Sequence, residues 1–144
     1  MTYDKDLSIV ISLFNEEESL PELIGWIEKV MAESSYSYEI IMVDDGSNDG
    51  SWKTIKEHSS KNPSIRGISF RRNYGKSPAL YHGFKAAEGR VVITMDADLQ
   101  DSPDEIPELY RMNVEEGYDI VKKKKKQRFD NKLTKNLPSK LYNW

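Results

Sequence analysis

The sequence predicts a single α/β domain in which helices cover both sides of a mainly parallel sheet. Short apolar, β-branched runs alternate along the chain with longer segments whose apolar residues recur at helical spacing. The short runs are apolar at consecutive positions, which is typical of strands buried on both faces of a parallel sheet. A chain of 144 residues is long enough for one such core.

Four strands and four helices are expected in alternation along the chain. The strands are predicted at residues 7–13, 38–43, 65–70 and 90–95. The helices are predicted at residues 20–31, 49–58, 77–87 and 103–116, and a fifth strand is expected to begin at residues 119–121. Ser47 or Asn48 is expected to cap the second helix, and Gly89 to end the third. This order predicts parallel strands connected by helical crossovers.

The charges are distributed unevenly along the chain. Residues 1–121 carry 12 Lys and Arg against 23 Asp and Glu, whereas residues 122–144 carry 9 against 1. An acidic body argues against general nucleic-acid binding, for which the folded surface itself should be basic. The chain has no cysteine, which excludes disulfides and thiolate chemistry. No apolar run reaches the roughly 20 residues of a membrane-spanning helix, so we expect a soluble domain that faces the cytosol.

A polar cluster follows each of the four predicted strands. In open α/β sheets, ligands bind at the carboxyl ends of the strands, so these clusters are expected to meet at one edge. They are Asn15-Glu16, Asp44-Asp45-Gly46-Ser47, Arg71-Arg72-Asn73 and Asp96-Ala97-Asp98. Alternate side chains of a strand point the same way, so Asp96 and Asp98 can converge on a hard cation that bridges to phosphates.

Three competing ligand-binding motifs fail on their spacing. The segment at residues 45–50 begins like a calcium loop, but Lys56 occupies the twelfth position, where a glutamate is required. Gly75-Lys76-Ser77 ends like a phosphate-binding P-loop, but Phe70 stands in place of the first glycine. The chain contains no G-x-G-x-x-G dinucleotide fingerprint.

Taken together, four segments of this chain resemble the family 2 glycosyltransferases. They are SIVISLFNEE (8–17), YEIIMVDDGSNDG (38–50), FRRNYGK (70–76) and VVITMDADLQDSPDEI (91–106). The resemblance is greatest to the polyprenyl-phosphate branch, which includes dolichol-phosphate mannose synthases and bacterial undecaprenyl-phosphate glucosyltransferases. It implies a GT-A fold, a Rossmann-like three-layer sandwich that binds a nucleotide-sugar together with Mg²⁺ or Mn²⁺. Residues 1–121 would form this nucleotide-sugar-binding core, and residues 122–144 a basic tail that begins the acceptor- or membrane-associated region.

The resemblance also implies roles for individual residues. Nucleotide-sugar binding would fall to Ser12, Phe14, Glu16, Asp44, Asp45, Arg72, Asn73, Lys76 and Asp96, with Gly75 nearby. Phe14 and Glu16 would lie beside the base and ribose, and Asp44 or Asp45 would accept a base N–H. The family often has proline at the position of Ser12 and tyrosine at that of Phe14, so a tyrosine hydroxyl contact is missing here.

The catalytic assignments implied by the resemblance centre on the DADLQ segment. Asp98 would bind the metal, with Gln100 helping to orient the metal and the diphosphate. Asp101 would serve as general base if the acceptor were a hydroxyl. Relatives continue the fifth strand with a small residue and glycine, whereas Val121 is followed here by five lysines. Lys125 and Arg128 are the remaining candidates for phosphate contacts.

The implied reaction is inverting transfer of a hexose from a UDP- or GDP-linked donor to a polyprenyl phosphate, at the cytoplasmic face of a membrane in cell-envelope synthesis. One alternative is transfer to a sugar hydroxyl in cell-surface polysaccharide synthesis. An alternative of another class is a non-catalytic phosphoacceptor or nucleotide-sensing module. Because members of this branch continue into membrane-associated helices, the chain is expected to be a catalytic-domain fragment that is inactive alone.

Overall fold

Five parallel strands form the central sheet of the computed structural model, which describes residues 3–115 and 141–143. The strands are β1 (Lys5–Leu13), β2 (Tyr38–Asp44), β3 (Ile65–Ser69), β4 (Gly89–Asp96) and β5 (Leu141–Asn143). Their order across the sheet is β3-β2-β1-β4-β5, and each neighbouring pair is parallel. The predicted parallel sheet is therefore confirmed.

Helices cover both faces of the sheet, as the sequence predicts. They are α1 (Leu20–Ala32), α2 (Ser51–Lys61), α3 (Lys76–Ala86) and α4 (Ile106–Glu115), with a 3₁₀ turn at Pro103–Glu105 before α4. The apolar faces of α1, α2 and α4 share one core cluster with the sheet, and α3 packs on the opposite face. Within the described residues, no helix combines the length and apolar character that crossing a bilayer requires.

The pleat of β1 distributes its side chains between the two core clusters. Ile9 and Ile11 are fully buried on the face that carries α1, whereas Val10 is fully buried against α3. Gly83 allows α3 to approach this second face closely, because a Cβ at that position would collide with the side chain of Val10. Burial on both faces explains why the strand is apolar at consecutive positions.

A buried polar network holds the amino ends of the strands, at the edge opposite the cleft described below. The carboxylate of Glu39, only 3% exposed, accepts a hydrogen bond from Ser8 Oγ at 2.5 Å and one from the backbone N–H of Glu88 at 2.7 Å. Arg66 pairs with the same carboxylate at 2.8 Å. Ser8 Oγ in turn accepts the N–H of Gly89 at 2.8 Å. The network therefore joins β1 and β2 to the turn that leads from α3 into β4.

The structure corrects the predicted beginning of the second helix. The residue before α2 is Gly50, and neither Ser47 nor Asn48 caps the helix. Instead, Asp49 accepts the backbone N–H groups of Ser51 and Glu17, at 2.9 and 3.3 Å. Burial alone would raise the pKa of Asp49, but hydrogen bonds from Ser51 and Glu17 outweigh this and hold the pKa below its ordinary value.

Two other predicted boundaries also change. Gly89 begins β4 rather than ending α3, which closes at Ala87. The fourth helix starts as the 3₁₀ turn, and its α-helical part begins at Ile106. The strand expected at residues 119–121 lies outside the described residues. The sequence did not predict β5, which pairs with β4 through Leu141–Asn143.

Candidate active site

An open cleft of about 350 Å³ lies at the carboxyl edge of the sheet. The loops that follow β1, β2, β3 and β4 each contribute to its wall, as expected for four polar clusters at one edge. Its lining residues are Ser12, Leu13, Phe14, Glu16, Asp45, Asn73, Gly75, Lys76, Asp96, Ala97 and Asp98. Most of the residues predicted to bind the nucleotide-sugar are therefore brought together, and their individual roles stay predictions.

Asp45 fastens the loop between β3 and α3 to the end of β2. Its Oδ1 accepts the N–H of Tyr74 at 2.7 Å, and its Oδ2 accepts the N–H of Gly75 at 2.9 Å. Its backbone carbonyl accepts Asn73 Nδ2 at 3.2 Å. The side chain is only 5% exposed. Asp45 is one of the two residues for which a base contact was predicted, yet both of its carboxylate oxygens already accept N–H groups of the protein's own backbone.

Asp44 serves the turn that follows β2. It is buried, and its Oδ1 accepts the N–H of Ser47 at 3.0 Å, so it does not join the residues that line the cleft. Gly46 in the same turn has a positive φ of 77°. A Cβ on Gly46 would overlap the backbone of Arg72 and Asn73. Glycine is therefore required both by the conformation of this turn and by the approach of the neighbouring loop.

Three contacts that the sequence analysis did not predict hold the loop after β1. Asn15 adopts a positive φ of 54°, which asparagine tolerates better than most residues. Its N–H donates to Ser47 Oγ at 2.8 Å, and its Oδ1 accepts the N–H of Asn48 at 2.7 Å. Ser19 Oγ donates to the carbonyl of Ala97 at 2.7 Å. These contacts join residues 32 to 78 positions apart in sequence, so no local signal predicts them.

The two aspartates of the DAD segment differ in their surroundings. Asp96 Oδ1 forms an ion pair with Lys76 Nζ at 2.8 Å. Asp98 is exposed, and its Oδ1 accepts the backbone N–H of Gln100 at 3.2 Å. Leu99, between Asp98 and Gln100, has a positive φ of 66°, which is an unfavourable conformation for a bulky residue. Its side chain packs against the core. The loop therefore holds a strained backbone at the cleft, as functional loops often do.

Besides Asp44, three predicted site residues in the described part of the chain do not line the cleft. Asp101 is 1% exposed, and its Oδ2 accepts the N–H of Asp96 at 3.1 Å. A buried carboxylate in this position braces the DAD backbone and is poorly placed to act as the general base suggested above. Arg72 stacks over the ring of Tyr74 at 4.7 Å. Gln100 donates its backbone N–H to Asp98 Oδ1.

The cleft partly fits a divalent cation. Asp96 and Asp98 supply carboxylate oxygens, the ligands that Mg²⁺ and Mn²⁺ prefer. Residues 3–115 hold no cluster of three or more acidic or histidine side chains that could hold a metal ion by themselves. Mg²⁺ is commonly held by one or two carboxylates together with substrate phosphates, and this donor set fits such a shared site. The phosphate contacts predicted for Lys125 and Arg128 lie outside the described residues.

Comparison with curated proteins finds bacterial transferases that are named for undecaprenyl phosphate. An undecaprenyl-phosphate 4-deoxy-4-formamido-L-arabinose transferase from Proteus mirabilis is 42% identical, over 99% of this chain and 44% of its own length. The protein of the same name from Pseudomonas fluorescens strain Pf0-1 is 43% identical, over 95% of this chain and 40% of its own. The chain thus spans less than half the length of these relatives.

Comparison with solved structures identifies glycosyltransferases with the fold described above. TarS from S. aureus, residues 1–349 in complex with UDP-GlcNAc, superposes with a TM-score of 0.66 at 21% identity, over 82% of this chain and 34% of its own. The mannosyltransferase PcManGT from Pyrobaculum calidifontis, in complex with GDP-Man and Mn²⁺, gives a TM-score of 0.65 at 22% identity, over 78% and 33%. These likenesses confirm the GT-A fold predicted from the sequence.

The sequence model of one family, Glycosyl transferase family 2, matches residues 8–143. The match includes all four segments on which the resemblance was based, and the strand ends that those segments form meet in one cleft. The chain therefore belongs to glycosyltransferase family 2.

Proposed function

We propose that this domain binds the donor in an inverting, metal-dependent transfer of a sugar from a nucleoside diphosphate to a polyprenyl phosphate. The observation that carries the proposal is the single cleft in which Asp96, Asp98 and Lys76 meet the loops after β1 and β2. The names of the curated relatives support a lipid-phosphate acceptor. The sequence predicts a hexose, but the relatives' names favour an arabinose derivative, so we propose that class of sugar for the donor.

The nucleoside is proposed to lie against the loop after β1. Phe14, 41% exposed at the cleft, offers an aromatic face on which a base can stack. Glu16 is held in place by its N–H, which donates to Ser51 Oγ at 3.0 Å, and by its Oε1, which accepts Ser19 Oγ at 3.2 Å. Its carboxylate is proposed to bind the ribose hydroxyls. Asp45 contributes indirectly, because it positions the backbone of Tyr74 and Gly75 beside the nucleotide.

The diphosphate is proposed to lie between α3 and the DAD loop. Lys76 stands at the first turn of α3, where the positive end of the helix dipole also favours anions. Its ammonium forms an ion pair with Asp96, and we propose that it also binds a phosphate oxygen of the donor. Asp98, with Gln100 near it, is the proposed metal ligand. A bound divalent cation would neutralise the charge that develops on the departing nucleoside diphosphate.

A phosphate acceptor removes the need for a general base. A phosphate monoester is already anionic at neutral pH, so its oxygen can attack the anomeric carbon without losing a proton to the protein. The burial of Asp101 agrees with this choice of acceptor over a sugar hydroxyl. Lys125 and Arg128 stay our candidates for holding the acceptor phosphate. Because the proposed acceptor is a lipid, we propose that the reaction takes place at a membrane, and at its cytoplasmic face as the family resemblance implies.

Calorimetric titration of UDP and GDP into the chain, with Mn²⁺ and then with a chelator, tests this proposal. We expect metal-dependent binding of one nucleotide. Asp98→Asn should weaken that binding by about 100-fold or more, because loss of even a group that hydrogen-bonds a metal ligand costs about 10- to 100-fold in metal affinity. Asp104→Asn is the matched control, because it is the same change at an exposed aspartate outside the cleft.

The two variants separate the possible failures. Equal nucleotide affinity for Asp98→Asn and Asp104→Asn would contradict the metal assignment while leaving nucleotide binding intact. Absence of nucleotide binding by a chain that is folded by circular dichroism would contradict the donor-binding role itself. Transfer of sugar to a water-soluble glycan, but not to a polyprenyl phosphate, would favour the hydroxyl acceptor.

A further inference from the structure

A strip of aromatic and basic side chains runs along the solvent side of α3 and the loop before it. Its members contact one another in sequence, with ring or cation distances of 4.7–5.6 Å. They are Arg72, Tyr74, Phe70, His82, Tyr81 and Lys85, in the order of contact, and we call them the α3 strip. Tyr74 and Tyr81 are 52% and 55% exposed, whereas the opposite side of α3 is buried on the sheet. Two large aromatic rings are thus left in solvent beside cationic groups.

The α3 strip lies in the one described part of the chain where positive charge prevails. Residues 58–87 contain six Lys and Arg and no Asp or Glu. Residues 1–57 contain 4 basic against 13 acidic residues, and residues 88–115 contain 2 against 8. Arg71, beside the strip, is also exposed. A basic surface on an otherwise acidic domain is complementary to an anionic partner and not to the domain itself.

The chemistry of the strip fits the interface of an anionic bilayer. Tyrosine places its ring at the level of lipid headgroups with its hydroxyl in water, and Lys and Arg beside it meet lipid phosphates. Asn73 and Gly75 in the loop before α3, and Lys76 at the start of α3, line the cleft. A bilayer that contacts the strip therefore lies at the rim of the cleft.

We propose that the α3 strip is a docking surface for an anionic phospholipid bilayer. This inference rests on the proposed function, because it assigns a surface of the folded domain to the membrane that would hold a lipid-phosphate acceptor. It is separate from the basic segment at residues 122–144, which the sequence analysis considered for the same role. Docking through α3 would hold the donor cleft at the surface where the acceptor phosphate resides.

Vesicle binding by charge-matched double variants tests the proposal. Arg71→Gln/Lys85→Gln removes one charge of the strip and one beside it, and Lys53→Gln/Lys56→Gln removes two exposed charges from α2, on the other face of the sheet. Each basic residue near an anionic surface contributes about fivefold in affinity, so the first variant should bind mixed phosphatidylglycerol–phosphatidylcholine vesicles about 30-fold more weakly. The control should change by less than about threefold. Both variants keep residues 122–144, so binding by that segment is common to them.

Site-specific labelling adds a readout that a general charge effect cannot produce. The chain has no cysteine, so Tyr81→Cys and Lys53→Cys each give a single attachment point for an environment-sensitive fluorophore. We expect the emission of the label at 81 to shift to the blue on anionic vesicles, and that of the label at 53 to stay unchanged. Neither position belongs to the proposed donor site, so nucleotide titration of the same proteins checks the cleft separately.

Several results would overturn the proposal. Equal losses of vesicle binding in the two double variants, or equal responses of the two labels, would show that α3 has no special role. Equal binding to pure phosphatidylcholine vesicles would exclude the charge argument. A response at 81 that depends on protein concentration without vesicles would mean that a second copy of the chain covers the strip. If nucleotide binding failed while the strip-dependent vesicle binding held, the proposed function would fall and the docking surface would stand.

Discussion

Asp45→Asn separates a structural role for this residue from a direct role in nucleotide binding. The carboxylate is 5% exposed and accepts two backbone N–H groups, from Tyr74 at 2.7 Å and Gly75 at 2.9 Å. Asparagine keeps one acceptor oxygen and turns an amide N–H₂ toward the other N–H. Each hydrogen bond to a charged group contributes about 1.5–3 kcal/mol. The lost hydrogen bond, together with the backbone N–H left without an acceptor, should therefore cost about 2–3 kcal/mol of unfolding free energy. For a chain of this size, that corresponds to a fall in Tm of roughly 6–9 °C.

Urea unfolding followed by circular dichroism measures the effect, and Asp98→Asn provides the matched control. Asp98 lines the same cleft but is exposed, so its substitution should change the unfolding free energy by less than about 0.5 kcal/mol. If Asp45→Asn left the stability unchanged but weakened nucleotide binding, the structural role of Asp45 in holding the Tyr74–Gly75 loop would be refuted. The direct contact with the nucleoside that the sequence predicts would then be favoured. A loss as large in Asp98→Asn would show that the assay does not distinguish buried from exposed carboxylates.

Two further predictions concern carboxylates outside the cleft. Glu39→Ala leaves Arg66 and two N–H or O–H donors without their acceptor, and should cost about 3 kcal/mol of unfolding free energy; a change below about 1 kcal/mol, or one equal to that of exposed Glu57→Ala, would contradict this account. Because the pKa of Asp49 is lowered on folding, the ionised side chain stabilises the native state above the ordinary value of 3.8, and this contribution is lost as the pH falls through the lower folded value. Asp49→Asn should therefore be less stable than the parent chain at pH 7 and approach it below about pH 4. A gap in Tm that is constant between these pH values would disprove the assignment.

The order of elements and the edge that carries the site could be predicted because both depend on local patterns. A strand such as β1 must be apolar at consecutive positions when Ile9 and Val10 are buried on opposite faces of the sheet. The polar groups that end each strand are then constrained by topology, because parallel strands deliver their carboxyl ends to one edge. Element ends were less predictable. The start of α2 depends on N–H groups that reach Asp49 from Glu17, 32 residues away in sequence.

Composition and periodicity cannot show which of several aspartates has a structural role and which can bind a ligand. Asp44, Asp45, Asp96 and Asp98 all follow strands, yet the first two are buried acceptors of backbone N–H groups and the last is exposed in the cleft. Which of them binds a ligand depends on the loops that pack around them, such as that of Tyr74 and Gly75 around Asp45. The ion pair between Lys76 and Asp96 likewise depends on how the start of α3 packs beside the end of β4.

The sequence by itself therefore determined the α/β class, the family and the location of the cleft. These follow from short-range patterns, namely apolar runs, helical spacing and short motifs, that can be recognised within a few consecutive residues. Only the tertiary structure decided that Asp45 clamps a loop, that Asp101 braces the DAD backbone and that α3 leaves its aromatic rings in solvent. The physical reason is that burial and hydrogen bonding are set by groups far apart along the chain. A carboxylate beside a buried N–H becomes part of the scaffold, and the same carboxylate beside solvent is available to a ligand.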